Sequence, residues 1–252
     1  MNLSNISFAE KTGIITGGTQ GIGYAIAKQF VIMGGRAVLI GRDEEKGRAA
    51  TEKLGNASFY SLDLNVCDKI PHVFRQIIAD EKHIDILINN AGILNTDNFE
   101  DLKKKDWDEI INVNLTAVFL SCQEMFRHMA EHGGGRIVNV ASIAGKVGGG
   151  YLGTAAYASA KAGVISLTKA VAKAGSPKNI YCNSVCPAYT KTPLVANLMQ
   201  GEKKQKVLAA MNLHRAAEPE EVASTVLFLA SDAASFIQGE NINCDGGMLM
   251  DG

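Results

Sequence analysis

Tyr157 and Lys161 lie one helical turn apart in TAAYASAKAGVISLTKAVAKA, residues 154–174. Side chains four apart on a helix share one face. A phenol titrates near pH ~10 and is a poor proton donor or acceptor at neutrality. An ammonium beside it favours the phenolate and lowers that value. The two together could therefore act as a general acid/base with its activating cation. The residues around them are small: Ala155, Ala156, Ala158, Ser159, Ala160, Ala162 and Gly163 allow a cofactor or a neighbouring subunit to come close. Taken alone, Tyr157 also fits a half-buried core position, and Lys161 a solvated face.

A second chemical feature opens the chain. IITGGTQGIGYAIAKQF carries Gly17, Gly21 and Gly23 in the spacing T-G-x-x-x-G-x-G. Glycine lets a phosphate approach backbone that a Cβ would shield, and the N-terminus of a helix supplies amide donors. No Lys-Ser/Thr follows the last glycine, so this is not a Walker loop. One extra residue separates the first two glycines, so it is not the common G-x-G-x-x-G fingerprint either.

The elements that must position these groups alternate along the chain. TGIIT (12–16), RAVLI (36–40), ASFYS (57–61), IDILIN (84–89), GRIVNV (135–140), NIYCNSVC (179–186) and ENINC (240–244) read as short strands buried on both faces. Helical patterns fall near 22–33, 43–54, 68–81, 106–131, 156–174 and 219–230, with starts at Asp68 and at Glu218-Pro219. This β-α order predicts one domain spanning residues 1–252: a doubly wound parallel sheet with helices on both faces. The composition agrees, with 46% apolar residues, 20% charged residues and a net charge of −1. Such a balance points to no nucleic-acid or membrane partner. No apolar run reaches the roughly eighteen residues of a membrane span, and the N-terminus lacks a secretory pattern. Five cysteines, an odd number, suggest reduced thiols in a cytoplasmic setting. Cys182 and Cys186 read as buried thiols, and the five scattered histidines (72, 83, 128, 132, 214) predict no metal site.

The Gly-rich variant, NNAG at 89–92 and Tyr157-x3-Lys161 together resemble the short-chain dehydrogenase/reductase family over roughly residues 8–248. The resemblance implies a seven-stranded sheet in the order 3-2-1-4-5-6-7 and an enzyme that interconverts a ketone and a secondary alcohol. LDL (62–64), NVNL (112–115), NVASIAG (139–145) and GENINCDGG (239–247) match in family order. Tyr157 is then the general acid/base, Lys161 its partner and ribose anchor, and Ser142 the hydrogen bond to the substrate oxygen. Asn114 anchors a water that joins Lys161 to solvent. The cofactor contacts implied are Gly17, Thr19, Gln20, Gly21, Ile22, Gly23, Arg42, Asp63, Leu64, Asn90, Ala91, Gly92, Tyr157, Lys161, Pro187, Thr190 and Thr192.

Gly41 ends the second strand where an NAD enzyme of this topology usually has Asp or Glu, and Arg42 follows. Gly41 leaves room for a 2′-phosphate and Arg42 can pair with it, so NADP is expected over NAD. Gln20 is no second cation there, and Asp43 competes if it turns inward rather than capping the next helix. Ala188 replaces the glycine that the family usually places after this proline. The loop from Ser142 to Tyr157 is longer than in many members, and Tyr151-Leu152 suggests a mobile apolar wall there. Residues 189–215 are expected to form a substrate lid, a surface helix pair, over a neutral, moderately apolar ketone. The alternatives are a 3-oxoacyl carrier-protein reductase, with Arg127 and His128 as weak docking cations, and a dinucleotide-sensing protein without catalysis. The small-residue helix, the 106–131 helix and the MLM tail (248–250) predict a homotetramer.

Overall fold

The computed structural model describes residues 6–150 and 154–251. Seven strands form one all-parallel sheet: β1 (Thr12–Thr16), β2 (Arg36–Gly41), β3 (Ala57–Ser61), β4 (Ile86–Asn89), β5 (Gly135–Val140), β6 (Ile180–Pro187) and β7 (Asn241–Cys244). Their spatial order is β3-β2-β1-β4-β5-β6-β7. Alternate strand residues feed opposite faces. Ile14, Val38, Ile40, Leu87 and Ile137 pack into one apolar layer, and Ile15, Ala37, Leu39, Ile86 and Val138 into the other. The first layer is closed by α3 (Ile70–Glu81), α5 (Ala117–Glu131) and α7 (Ala155–Gly175), the second by α1 (Gly21–Ile32) and α9 (Pro219–Leu229). The interior strands are buried on both faces as expected. β3 and β7 are only half-buried, because each is an edge of the sheet.

Helix ends follow local chemistry. Asp43 caps α2 (Glu44–Leu54) by accepting the Lys46 amide at 3.0 Å. Glu218 and Glu221 form a reciprocal capping box at α9, with Pro219 first in the helix. Asp68 falls in a tight 3-10 turn, Cys67–Lys69, ahead of α3. The long helix expected over 106–131 is broken into α4 (Lys104–Ile111), a π-turn (Asn112–Thr116) and α5. The cause is Asn114, whose side-chain amide donates to the Ile110 carbonyl at 3.0 Å, the one an unbroken α-helix would give to its own N–H.

One short helix was not anticipated, α6 (Ala144–Val147), directly after Ser142; α8 (Gly201–Ala209) falls in the expected lid. The expected helix pair over 189–215 is α8 alone, preceded by turns. This stretch builds its own apolar cluster from Tyr189, Val195, Met199, Val207, Met211 and Ala216, with Met248 packed against it. Tyr151 and Leu152 lie outside the described residues. No described helix is long and apolar enough to cross a membrane.

Candidate active site

A cleft of about 580 Å³ lies outside the carboxyl ends of the strands. It is lined after β1 by Gly17 and Thr19 to Ile22, after β2 by Gly41 to Asp43, and after β3 by Asp63 and Leu64. Asn90 to Leu94 line it after β4, Ala141 to Ala144 after β5, and Pro187 to Thr190 with Thr192 to Val195 after β6. The floor lies between β1 and β4, where the strand order reverses and doubly wound sheets open a crevice. Thr16 ties that floor together: its Oγ1 accepts from the Asn90 and Ala91 amides at 3.0 and 3.1 Å.

The Gly-rich turn has the geometry its composition predicts. Gly17 and Gly21 hold positive φ values of 65° and 55°, a region that side chains resist. A Cβ on Gly23 would stand 2.2 Å from the Gly17 carbonyl, so Gly23 lets α1 pack under the turn and does not line the cleft. Asn90 donates to the Thr16 carbonyl at 3.0 Å and to that of Gly17 at 3.3 Å, clamping the turn. No side chain caps the start of α1, and its first turn has no acid. Its amides are thus left to an anion, which fits the pyrophosphate of a dinucleotide.

At the far end of the cleft, Arg42 stands exposed beside Gly41. Asp43 is held at its helix cap and paired with Lys46 Nζ at 3.1 Å, so it does not reach for a ribose. Lys46 also lines the cleft. Sequence reasoning missed this second cation; the signal was its position one turn into α2, on the side of Arg42.

The chemical end is built on α7. Lys161 is 3% exposed and donates to the Val140 carbonyl at 2.8 Å, with its Nζ 5.7 Å from the Tyr157 ring centre. Tyr157 and Ser142 are half-buried and both line the cleft, with Ser142 Oγ accepting the Ala144 amide at 3.1 Å. Burial pushes the phenol up to about 12, with the Ser142 hydroxyl opposing. Burial pushes Lys161 down to about 8. The lowering expected from Lys161 is not what this structure gives: the ammonium donates to the Val140 carbonyl, and burial raises the phenol.

Asn114 is fully buried and does not line the cleft. Its amide donates to the Ile93 and Ile110 carbonyls at 3.0 Å each, and its Oδ1 accepts from the Ile93 amide at 3.3 Å. A Cβ on Gly92 would lie 2.7 Å from Asn114 Oδ1 and 3.7 Å from Lys161 Nζ, so this glycine keeps the gap between them open. Asn114 is thus connected to the catalytic end behind the wall. Ala188 has an ordinary negative φ, so its methyl strains nothing. Thr190 and Thr192 line the cleft as expected.

Arg127 pairs with Glu124 at 2.7 Å and His128 is buried, accepting the Ile84 amide at 3.1 Å, so His128 cannot meet a partner and Arg127 meets one only in competition with Glu124. His128 and His132, four residues apart, stack with ring centres 4.1 Å apart, and His83, from the loop before β4, lies tilted 5.9 Å from each. Among the described residues no group of side chains has the arrangement to hold a metal.

A Gly-rich turn feeding an uncapped helix, beside a Ser-Tyr-Lys set at the strand ends, defines a nicotinamide-dinucleotide oxidoreductase acting on CH–OH and C=O groups. A family model described as enoyl-(acyl carrier protein) reductase matches residues 17–249. The chain belongs to the short-chain dehydrogenase/reductase family. It is 38% identical over 249 residues to a 3-oxoacyl-(acyl-carrier-protein) reductase of Aquifex aeolicus, covering 97% of this chain and 99% of the relative. It is 34% identical to an acetoacetyl-CoA reductase of Acinetobacter, covering 96% and 98%. A solved candidate NAD(P)-dependent gluconate 5-dehydrogenase from Beutenbergia cavernae, with NADP at low occupancy, superposes with a TM-score of 0.90 at 32% identity, covering 96% and 98%.

Proposed function

We propose that the protein is an NADPH-dependent reductase of 3-oxoacyl thioesters. The carrying observation is that Ser142, Tyr157 and Lys161 line one end of a single cleft whose other end is the Gly-rich turn. A phenol that keeps its proton at neutral pH can deliver it to a carbonyl oxygen during reduction. Bound dinucleotide supplies the hydride. The Ser142 hydroxyl donates to the substrate oxygen as negative charge develops there. Tyr157 delivers its proton to that oxygen, and Lys161 stabilises the phenolate left behind. Lys161 then passes a proton to the phenolate, and a water anchored at the Asn114 end of the site, where Asn114 is held by Ile93 and Ile110, replaces the proton on Lys161 from solvent. Arg42 and Lys46 favour a 2′-phosphate over the free hydroxyl.

The thioester reading draws on the relatives, which reduce oxoacyl groups on carrier protein or coenzyme A by their names. A simple ketone is the second reading, favoured by the apolar wall of Leu94, Val195, Val207 and Met248 over the cleft. Residues 189–215 then serve as the lid. NADPH oxidation with acetoacetyl-CoA, an acetoacetyl carrier protein and a panel of plain ketones separates the two. A higher kcat/KM on plain ketones than on either thioester rejects the thioester reading. Tyr157→Phe should lower turnover by about a hundredfold or more while NADPH still binds.

A further inference from the structure

The last turn of the chain is bonded to the loop that carries the catalytic serine. Asp251 Oδ2 lies 3.0 Å from Lys146 Nζ on α6, and its Oδ1 accepts from Asn243 Nδ2 on β7 at 2.7 Å. Both carboxylate oxygens are therefore engaged. Asn243 also donates to the Leu249 carbonyl at 3.2 Å. The Lys146 side chain is only 17% exposed, so its charge is partly desolvated where it meets Asp251. Upstream, the buried Asp245 carboxylate accepts the Gly247 and Leu249 amides at 3.0 and 2.8 Å. Residues 245–251 are thus a built turn anchored at several points.

That turn touches both walls of the cleft. On one side is α6, a single turn of four residues between Ser142 and Gly148. Ile143, Ala144 and Val147 line the cleft around it, and so does Met248 of the tail. On the other side, the Leu213 amide donates to the Gly246 carbonyl at 3.0 Å, and a Cβ on Gly247 would meet Asn212 at 3.0 Å. A helix of one turn is not held by its own hydrogen bonds. Its placement depends on outside contacts, and the ion pair to Asp251 is one that carries charge.

We propose that Asp251 is a positioning residue for the substrate. Its pair with Lys146 fixes α6, and with it the Ser142 loop, against the C-terminal turn, and so sets the apparent affinity for the carbonyl substrate. Asp251 acts through Lys146. The inference rests on the reading of this cleft as a carbonyl-reducing site.

The test uses the full-length protein and three variants: Asp251→Asn, Lys146→Met and the charge swap Lys146→Asp with Asp251→Lys. With acetoacetyl-CoA, or the best ketone of the panel, KM should rise roughly fivefold to tenfold in each single variant, the scale of one lost charge-assisted hydrogen bond. Turnover and the NADPH dissociation constant should stay within about twofold, as loss of substrate positioning alone requires. The swap should recover most of the KM. Added salt should move the wild type toward the variants, because the pair is partly exposed. Light scattering should show the same assembly throughout. Amide exchange over residues 143–150, which needs no substrate, should quicken in Asp251→Asn. Unchanged exchange there overturns the proposal whatever the enzyme reduces. So does an unchanged KM, a KM rise that appears only with loss of assembly or of NADPH affinity, or a swap no better than the single variants. A wild type with no reductase activity rejects the functional reading instead, and leaves the exchange experiment to decide the pairing.

Discussion

Burial acts on Tyr157 and Lys161 in opposite directions, and the consequence is a pH dependence. The phenol is pushed up to about 12 and the ammonium down to about 8, so both hold their protons at neutrality. As pH rises through about 8, Lys161 loses its charge while the phenol stays protonated. Reductive kcat/KM should therefore fall on the alkaline side with an apparent pKa near 8. Lys161→Arg keeps its charge at every accessible pH, so that variant should run more slowly and lack this limb. A wild-type profile flat across that range is inconsistent with the mechanism. Gly41 decides the cofactor at the other end of the cleft. A Cβ there would sit 3.4 Å from Thr19 and 3.5 Å from Phe59, in ordinary contact, so Gly41→Asp fits without rebuilding. The new carboxylate would repel a 2′-phosphate and accept from free hydroxyls. The ratio of kcat/KM for NADPH over NADH should fall on the order of a hundredfold. An unchanged ratio would show that Arg42 and Lys46 do not read the phosphate.

At the scale of elements, two devices lie behind the site. The π-turn at Asn112–Thr116 exists because a buried amide competes with the helix for a carbonyl, and it brings Asn114 beside Gly92 and Lys161. The end of α5 is joined to the start of β4 by His128, whose Nε2 accepts the Ile84 amide. Burial, with His132 and His83 beside it, lowers the His128 pKa, against weaker opposing pulls from Glu131 and Asp85. The unfolded chain therefore takes up this proton first as pH falls below about 6.5. The stability tied to the neutral ring is fully present above that value and is lost as pH falls through it. Unfolding temperature should drop between about pH 7 and pH 5, and His128→Gln, which can still accept the amide but does not titrate, should show a shallower drop. Parallel pH curves for the two proteins would show that His128 does not set acid stability.

At the scale of the molecule, exposed apolar groups mark where copies should meet. Phe236, fully exposed in the turn before edge strand β7, and Met250, 82% exposed, are left uncovered by the described residues. Met248 and Leu249 of the same tail are half-buried, so only part of MLM needs a cover. Phe119 is exposed on α5, and Ala162 and Ser166 on α7, the pair expected to form the other interface. Two such surfaces on one chain would give a tetramer by paired two-fold contacts. Light scattering should find a tetramer for the wild type and a dimer for Phe236→Glu. A tetramer that survives the charge, or a stable wild-type monomer, rejects this assembly.

The seven strands, most helices and the Gly-rich turn were legible in the sequence, because buried parallel strands read as unbroken apolar runs and glycine marks the turn. Tyr157 and Lys161 were legible because a spacing of four is enough to place two side chains on one face. Other features depended on contacts between distant segments. The 3-2-1-4-5-6-7 order left β3 and β7 half-exposed at the edges, which their composition does not announce. Asn114 broke a helix that its neighbours would have continued, because Ile93 arrives from another loop. The directions in which Tyr157 and Lys161 shift follow from burial around α7, and spacing says nothing about burial. His83 beside His128, and Asp251 paired with Lys146, join positions dozens of residues apart, and only the folded sheet brings them together.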